Sequence, residues 1–255
     1  MVTLKARAAT YSTTLDRGGR LHDATLRERK AAKIIAILDA EGALRSDCSR
    51  VLDIGCSHGH ILRCVAGRAA YGIGVDVDRL ADVQRADNIA YLRADAEALP
   101  FSSRSFDVII CNHVYEHTDT PERLVAEIRR LLKPEGLCYF AGPNRYAVME
   151  PHVHLPFVSW LPAAVADTYV RALRKGDGYH ARPYSHRRLL DLISDFDISD
   201  YTGRILDDPR RFVADDLLPP GSLKLAVARI VYRHLRGLFP TFVFILRPRP
   251  DGSSV

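Results

Sequence analysis

The chain of 255 residues is 47% hydrophobic and 26% charged, which supplies apolar material for a sizeable α/β core and excludes a disordered or fibrous protein. No apolar run approaches the roughly 20 residues of a membrane-spanning helix, and the late run TFVFIL is only strand-sized. The net charge of +5 is concentrated late, at Lys224, Arg229, Arg233, Arg236, Arg247 and Arg249, and reads first as a solvated basic face and second as a surface for an anionic partner.

The five cysteines (Cys48, Cys56, Cys64, Cys111, Cys138) form no CxxC pair, and most stand in apolar runs, so reduced thiols and a cytoplasmic setting are expected. The opening MVTLKARAATYSTT is basic and hydroxyl-rich but lacks the apolar core of a secretory signal, and reads as a tail that orders over a ligand.

In chain order, Ala31, Ile34, Ile35 and Leu38 predict a leading helix over 25–43, stopped by Gly42. Short β-branched or aromatic runs follow at VLDIG, YGIGVDV, IAYLRAD, FDVIICN and GLCYFAG, separated by helical stretches over 59–67, 79–86 and 121–132. The last of these has Thr120 as its N-cap, Pro121 at the first position and Lys133-Pro134 as its stop. Such alternation predicts a Rossmann-like, doubly wound, seven-stranded and mostly parallel sheet.

After Gly142 the alternation breaks into an insertion, about 143–183, rich in Pro, His and aromatics, which reads as a lid over an acceptor. A helix over 185–194, a weak strand over 198–206, a helix over 222–236 and a strand over 241–247 complete the chain. The expected organisation is a tail and leading helix over 1–45, then one domain over 46–255 that carries the insertion.

The segment VLDIGCSHGH runs from a buried strand through a glycine-flanked turn into a helix. Gly55 and Gly59 let backbone approach a ligand, the helix-start amides donate, and Asp53 aims a carboxylate at the same place. That carboxylate repels a phosphate and attracts an ammonium or sulfonium, so it favours S-adenosylmethionine over a dinucleotide. Asp76, closing the second strand, is placed to accept both ribose hydroxyls.

Rival readings share these residues. GCSHG also fits the G-x-S-x-G elbow with Ser57 as nucleophile, but only one helix precedes Val51 and no HGGG-like loop exists. A nicotinamide-dependent oxidoreductase lacks its G-x-G-x-x-G spacing here. A non-catalytic module that binds the cofactor remains open.

In order, VLDIGCSHG, GVDVD, RADAEALPFSSRSFDVIICNHVYEHTDTPERLVAEIRRLLKPEG and GLCYF resemble the class I S-adenosylmethionine-dependent methyltransferases, in particular the type 11 family, over about 51–142. The resemblance implies that Asp53, Gly55 and Gly59, with Cys56 and Ser57 in the same turn, hold the methionine part of the cofactor. It assigns Asp76 and Val77 to the ribose, Asp95 and Ala96 to the adenine edge, and Asn112 and His113 to the methionine side. Ser57 stands where the family usually has its middle glycine.

Methyl transfer is an in-line displacement, so the protein positions the acceptor and removes its proton. Candidate bases are His113, His117, His152 and His154, with one of the last two favoured and His117 reading first as a loop-organising or helix-capping histidine. Glu150, His152 and His154, extended by His180 or His186, also read as metal ligands, although nothing in the spacing requires a metal. Phe157, Trp160 and Tyr169 read as lid core before substrate platform.

Asn112-His113-Val114-Tyr115 replaces the Pro-Pro-aromatic motif of nucleic-acid amine methylation, and no aromatics interleave with the late basic residues, so nucleic acid is not the expected partner. The expected acceptor is a hydroxyl of a small molecule, sugar or lipid-linked precursor, with N- or C-methylation of a small metabolite as the alternative. In the helix over 222–236, Leu223, Val227 and Ile230 are expected to pack on the sheet and the arginines to face solvent, rather than the helix lying on a membrane.

Overall fold

The computed structural model describes residues 24–78, 83–150 and 153–250. Its centre is a seven-stranded sheet of order β3-β2-β1-β4-β5-β7-β6, where β1 is Arg50–Ile54, β2 Tyr71–Asp76, β3 Ile89–Arg93, β4 Phe106–Asn112, β5 Leu132–Pro143, β6 Phe196–Asp200 and β7 Thr241–Pro248. The first five strands are mutually parallel, and β7 runs antiparallel to both β5 and β6. The predicted fold class is therefore the observed one.

Alternate residues of the central strands enter different apolar layers. Leu52, Ile54, Ile109, Cys111 and Phe140 join one cluster, whereas Val51, Val108, Ile110 and Tyr139 join the other. Both faces are covered, which explains why these strands read as continuous apolar runs. Helix α3, Pro121–Leu131, buries Leu124, Val125, Ile128 and Leu131 in the first layer, each worth about 1.5–3 kcal/mol of transfer free energy. Helix α1, Ala24–Ala40, buries Ala31, Ile34, Ile37 and Leu38 in the second. Ile35 is only half-buried, and Ile37 takes the place expected of it.

The remaining helices are α2 (His60–Ala66), α4 (Ala163–Ala172), α5 (His186–Leu192), α6 (Tyr201–Asp207) and α7 (Leu223–His234). Several expectations need correction. The strand expected over 198–206 ends at Asp200, whose side chain accepts from the Thr202 N–H and starts helix α6 at Tyr201. Of the helix expected over 79–86, residues 79–82 lie outside the described residues and 83–86 are irregular. Thr120 occupies the N-cap position of α3 but makes no side-chain cap bond; Glu97 Oε1 instead accepts from the N–H groups of Asp119 (2.8 Å) and Thr120 (3.1 Å).

The late arginines, which face no acidic neighbour in sequence, are largely answered in space. Arg247 pairs with Glu41 at 2.6 Å, Arg249 with Asp197 at 3.3 Å, and Arg229 donates to the carbonyls of Leu206 and Asp207. The described cysteine thiols are free, with Cys56, Cys111 and Cys138 buried and Cys48 exposed. Among the described residues no helix is long and apolar enough to cross a membrane.

Candidate active site

The C-terminal ends of β1, β2, β4 and β5 lie together, and the strand order reverses between β1 and β4, which is where open α/β sheets bind ligands. The turn leaving β1 has three left-handed residues: Gly55 (φ 71°), Ser57 (φ 50°) and Gly59 (φ 74°). The two glycines are needed for a reason the sequence did not reveal. A Cβ on Gly59 would lie 2.0 Å from Tyr91 Oη, and one on Gly55 would lie 2.7 Å from Val114 Cγ2. The chain itself, from β3 and from the loop after β4, fills the space that the missing side chains leave.

Asp53 is buried, and its Oδ2 has no hydrogen-bond partner among the described residues. Burial first, and the neighbouring Asp76 carboxylate second, push its pKa up to about 8. Asp53 is thus mostly protonated at neutral pH when no cation is beside it. Asp76 accepts from the Ser57 N–H (Oδ2, 2.8 Å) and the Asp78 N–H (Oδ1, 3.0 Å), fixing its carboxylate between the glycine turn and the loop after β2. Burial and Asp76 also raise Asp78, to about 6.

Val77 follows directly, and its carbonyl accepts from Arg93 Nε at 2.7 Å. Asp95 and Ala96 lie beyond β3, where Asp95 Oδ1 accepts from the Glu97 N–H. The loop beyond them is fixed by Arg130, which donates to the carbonyls of Phe101 and Leu99 while pairing with Glu127. Cys56 is buried within the turn, and Ser57 Oγ lies 3.1 Å from His58 Nδ1.

At the end of β4, Asn112 is followed by His113 in a left-handed conformation (φ 59°), its N–H donating to the Ala141 carbonyl at 2.8 Å. The backbone then forms a 3-10 turn over Tyr115–His117. Glu116 is fully buried there, with Oε1 3.4 Å from His113 Nδ1 and 3.9 Å from His117 Nε2. The reading of the sequence missed Glu116 as the organiser of this pair. Its signal was present, since a carboxylate directly before a histidine and three residues after another can meet both in one turn.

Tyr115 ties this turn to the insertion. Its hydroxyl donates to the Pro143 carbonyl and accepts from the Tyr184 N–H, and its ring stacks on Phe140. Arg182 N–H also donates to the Glu116 carbonyl at 2.7 Å, so the returning arm of the insertion packs on the histidine turn. The insertion has its own small core of Leu155, Val158, Ala166 and Val170, with Tyr169 half-buried against it.

Phe157 and Trp160 depart from the expected lid core: both are substantially exposed and meet edge to face, with Trp160 Nε1 donating to the Ala147 carbonyl. Of the favoured bases, His152 lies outside the described residues, and His154 is exposed. Glu150 turns inward, accepting from the Val153 N–H at 2.7 Å and the Tyr179 hydroxyl at 3.5 Å. Among the described residues no group of His, Cys, Asp and Glu is gathered to hold a metal.

Residues 52–140 match the family model of a methyltransferase domain. This chain contains a class I methyltransferase domain of the type 11 family. Within that domain a ubiquinone biosynthesis O-methyltransferase of Coxiella burnetii is 35% identical over 102 residues, which are 37% of this chain and 44% of that protein. The chain thus spans less than half the length of the curated relatives it matches.

The fold of the methyltransferase domain and its surroundings is shared with solved structures. The putative methyltransferase from a Haloferax volcanii complex with the activator Trm112 superposes with a TM-score of 0.56 at 18% identity, covering 96% of this chain and 98% of that one. A Haemonchus contortus phosphoethanolamine N-methyltransferase, in complex with phosphomonomethylethanolamine and S-adenosylhomocysteine, superposes with 0.54 at 18%, covering 98% and 61%. The family's cofactor is S-adenosylmethionine. The methyltransferase domain fits it: Asp53 offers a buried carboxylate oxygen without a hydrogen-bond partner among the described residues, Asp76 closes β2, and the turn between them leaves no room for larger side chains.

Proposed function

We propose that the chain transfers the methyl group of S-adenosylmethionine to a hydroxyl of a small molecule, sugar or lipid-linked acceptor, with His113 as the base. The observation that carries this reading is the buried Glu116 carboxylate set against His113 Nδ1 at the end of β4, beside the strand-end carboxylates. An imidazole oriented by a buried carboxylate is suited to taking a hydroxyl proton, because the carboxylate, when ionised, stabilises the imidazolium where it forms. The 35% identity to an O-methyltransferase over the central domain supports the same acceptor atom.

When bound, the cofactor supplies a methyl group already activated on a sulfonium. The chain does the rest. Asp53 and Asp76 hold the cationic and ribose ends, and Asn112 lines the methionine side. Val77, Asp95 and Ala96 border the nucleoside. Residues 143–183 cover the acceptor, with Phe157 and Trp160 as an exposed aromatic pair at that cover. His117, also near Glu116, keeps the turn in place, and His154 is left without a catalytic part. Free thiols support a reducing, cytoplasmic setting.

Calorimetry with S-adenosylhomocysteine, followed by methylation assays on phenolic, sugar and lipid-linked alcohols, tests the proposal. The expected result is cofactor binding weakened about 10- to 100-fold by Asp76→Ala, from loss of charge-assisted bonds, together with turnover that requires His113. Binding of NADH in place of the adenosyl ligand refutes the cofactor, and turnover untouched in His113→Ala refutes the base.

A further inference from the structure

Helix α7 (Leu223–His234) reverses the expectation that its apolar face packs on the sheet. The residues turned inward are Leu225 and Tyr232, both buried, with Ala228 half-buried between them. Leu223, Val227 and Ile230 point the other way and are 80%, 49% and 60% exposed. At 100° per residue these three lie within one narrow stripe on the side opposite the buried face.

The flanks of the stripe are cationic. Lys224 lies to one side and Arg233 to the other, both exposed, and the sequence LKLAVARIVYRH has no acidic residue. Beyond the helix the chain continues with exposed Leu235, Arg236 and Leu238. That turn is hydrogen-bonded to the loop leaving β5, since Asn144 Nδ2 donates to the carbonyls of Gly237 (2.7 Å) and Phe239 (2.9 Å). The turn after the helix thus lies at the ligand-binding end of the sheet.

We propose that the outer face of α7, with the Leu235 and Leu238 turn, docks on an anionic lipid bilayer. A surface helix normally hides its apolar side from water, whereas this one hides one apolar side and displays a second, bracketed by lysine and arginine. Those cations sit at headgroup level when the leucines and isoleucine enter the acyl boundary, which is the arrangement an anionic interface rewards. A protein partner or second copy would bury the same side chains, but the basic brackets and absence of acids would set like charges against each other in a symmetric dimer.

The test is flotation of the full chain with vesicles of phosphatidylcholine alone and of equimolar phosphatidylcholine and phosphatidylglycerol. The expected result is salt-sensitive binding to the anionic vesicles, reduced at least about tenfold by Ile230→Glu and about fivefold by each of Lys224→Gln and Arg233→Gln. Thermal melting and S-adenosylhomocysteine binding should stay unchanged in all three variants. Failure of the unaltered chain to float at low salt overturns the proposal, as does flotation indifferent to Ile230→Glu. A dimer in light scattering that Ile230→Glu converts to monomer, without vesicle binding, also overturns it and assigns the face to a second copy.

Discussion

The N–H of Ser57 donates to Asp76 Oδ2 at 2.8 Å, so the turn after β1 is hung on the carboxylate that ends β2. This bond requires Ser57 to keep a left-handed backbone (φ 50°), which costs a residue with a Cβ about 1–2 kcal/mol. The serine replaces the family's glycine at that strained place, and the tether to Asp76 helps hold it.

Ser57→Gly should therefore stabilise the protein by up to about 1 kcal/mol, less whatever entropy the glycine adds to the unfolded chain. Urea unfolding measures it; a destabilised variant would mean that the Ser57 Oγ contact with His58 outweighs the backbone strain.

Asp53 sets function against stability. In the folded chain it keeps its proton up to about pH 8, pushed by burial and Asp76 and only partly opposed by Arg27, whereas unfolded it releases the proton near 4. Between these values the folded state holds the extra proton, so this residue's contribution to stability falls as pH rises from about 4 to about 8 and is level above. Asp53→Asn should raise Tm, with a margin that grows across that window, while weakening S-adenosylhomocysteine binding. Parallel Tm curves for the two proteins between pH 5 and 8, measured by scanning calorimetry, would contradict the assignment.

On the proposed assignment of His113 as the base, Glu116 acts on the acceptor only through its histidine neighbours, so Glu116→Gln should lower kcat about a hundredfold with little change in KM. A purely structural role would lower Tm and change KM along with kcat.

Tyr115→Phe removes a hydroxyl that serves both the Pro143 carbonyl and the Tyr184 N–H. The cost should be about 1–3 kcal/mol, the penalty for buried polar groups left without partners. Limited proteolysis should cut first within 143–183, and equal cleavage of both proteins would show that Tyr115 does not anchor that segment.

The carboxylates at Asp53 and Asp76 and the turn between them were legible because they are contiguous: a buried strand followed by Gly55 and Gly59 dictates its own local geometry. Helix α3 was legible for the same reason, its apolar spacing being a property of one segment. Tertiary structure alone brought Tyr91 and Val114 against the two glycines, placed Glu97 rather than Thr120 at the start of α3, and withdrew the proton-free charge from Asp53 by burying it beside Asp76. It also chose which apolar side of α7 to bury. Periodicity counts the faces of a helix, but only the neighbours that fold against it decide which face meets water.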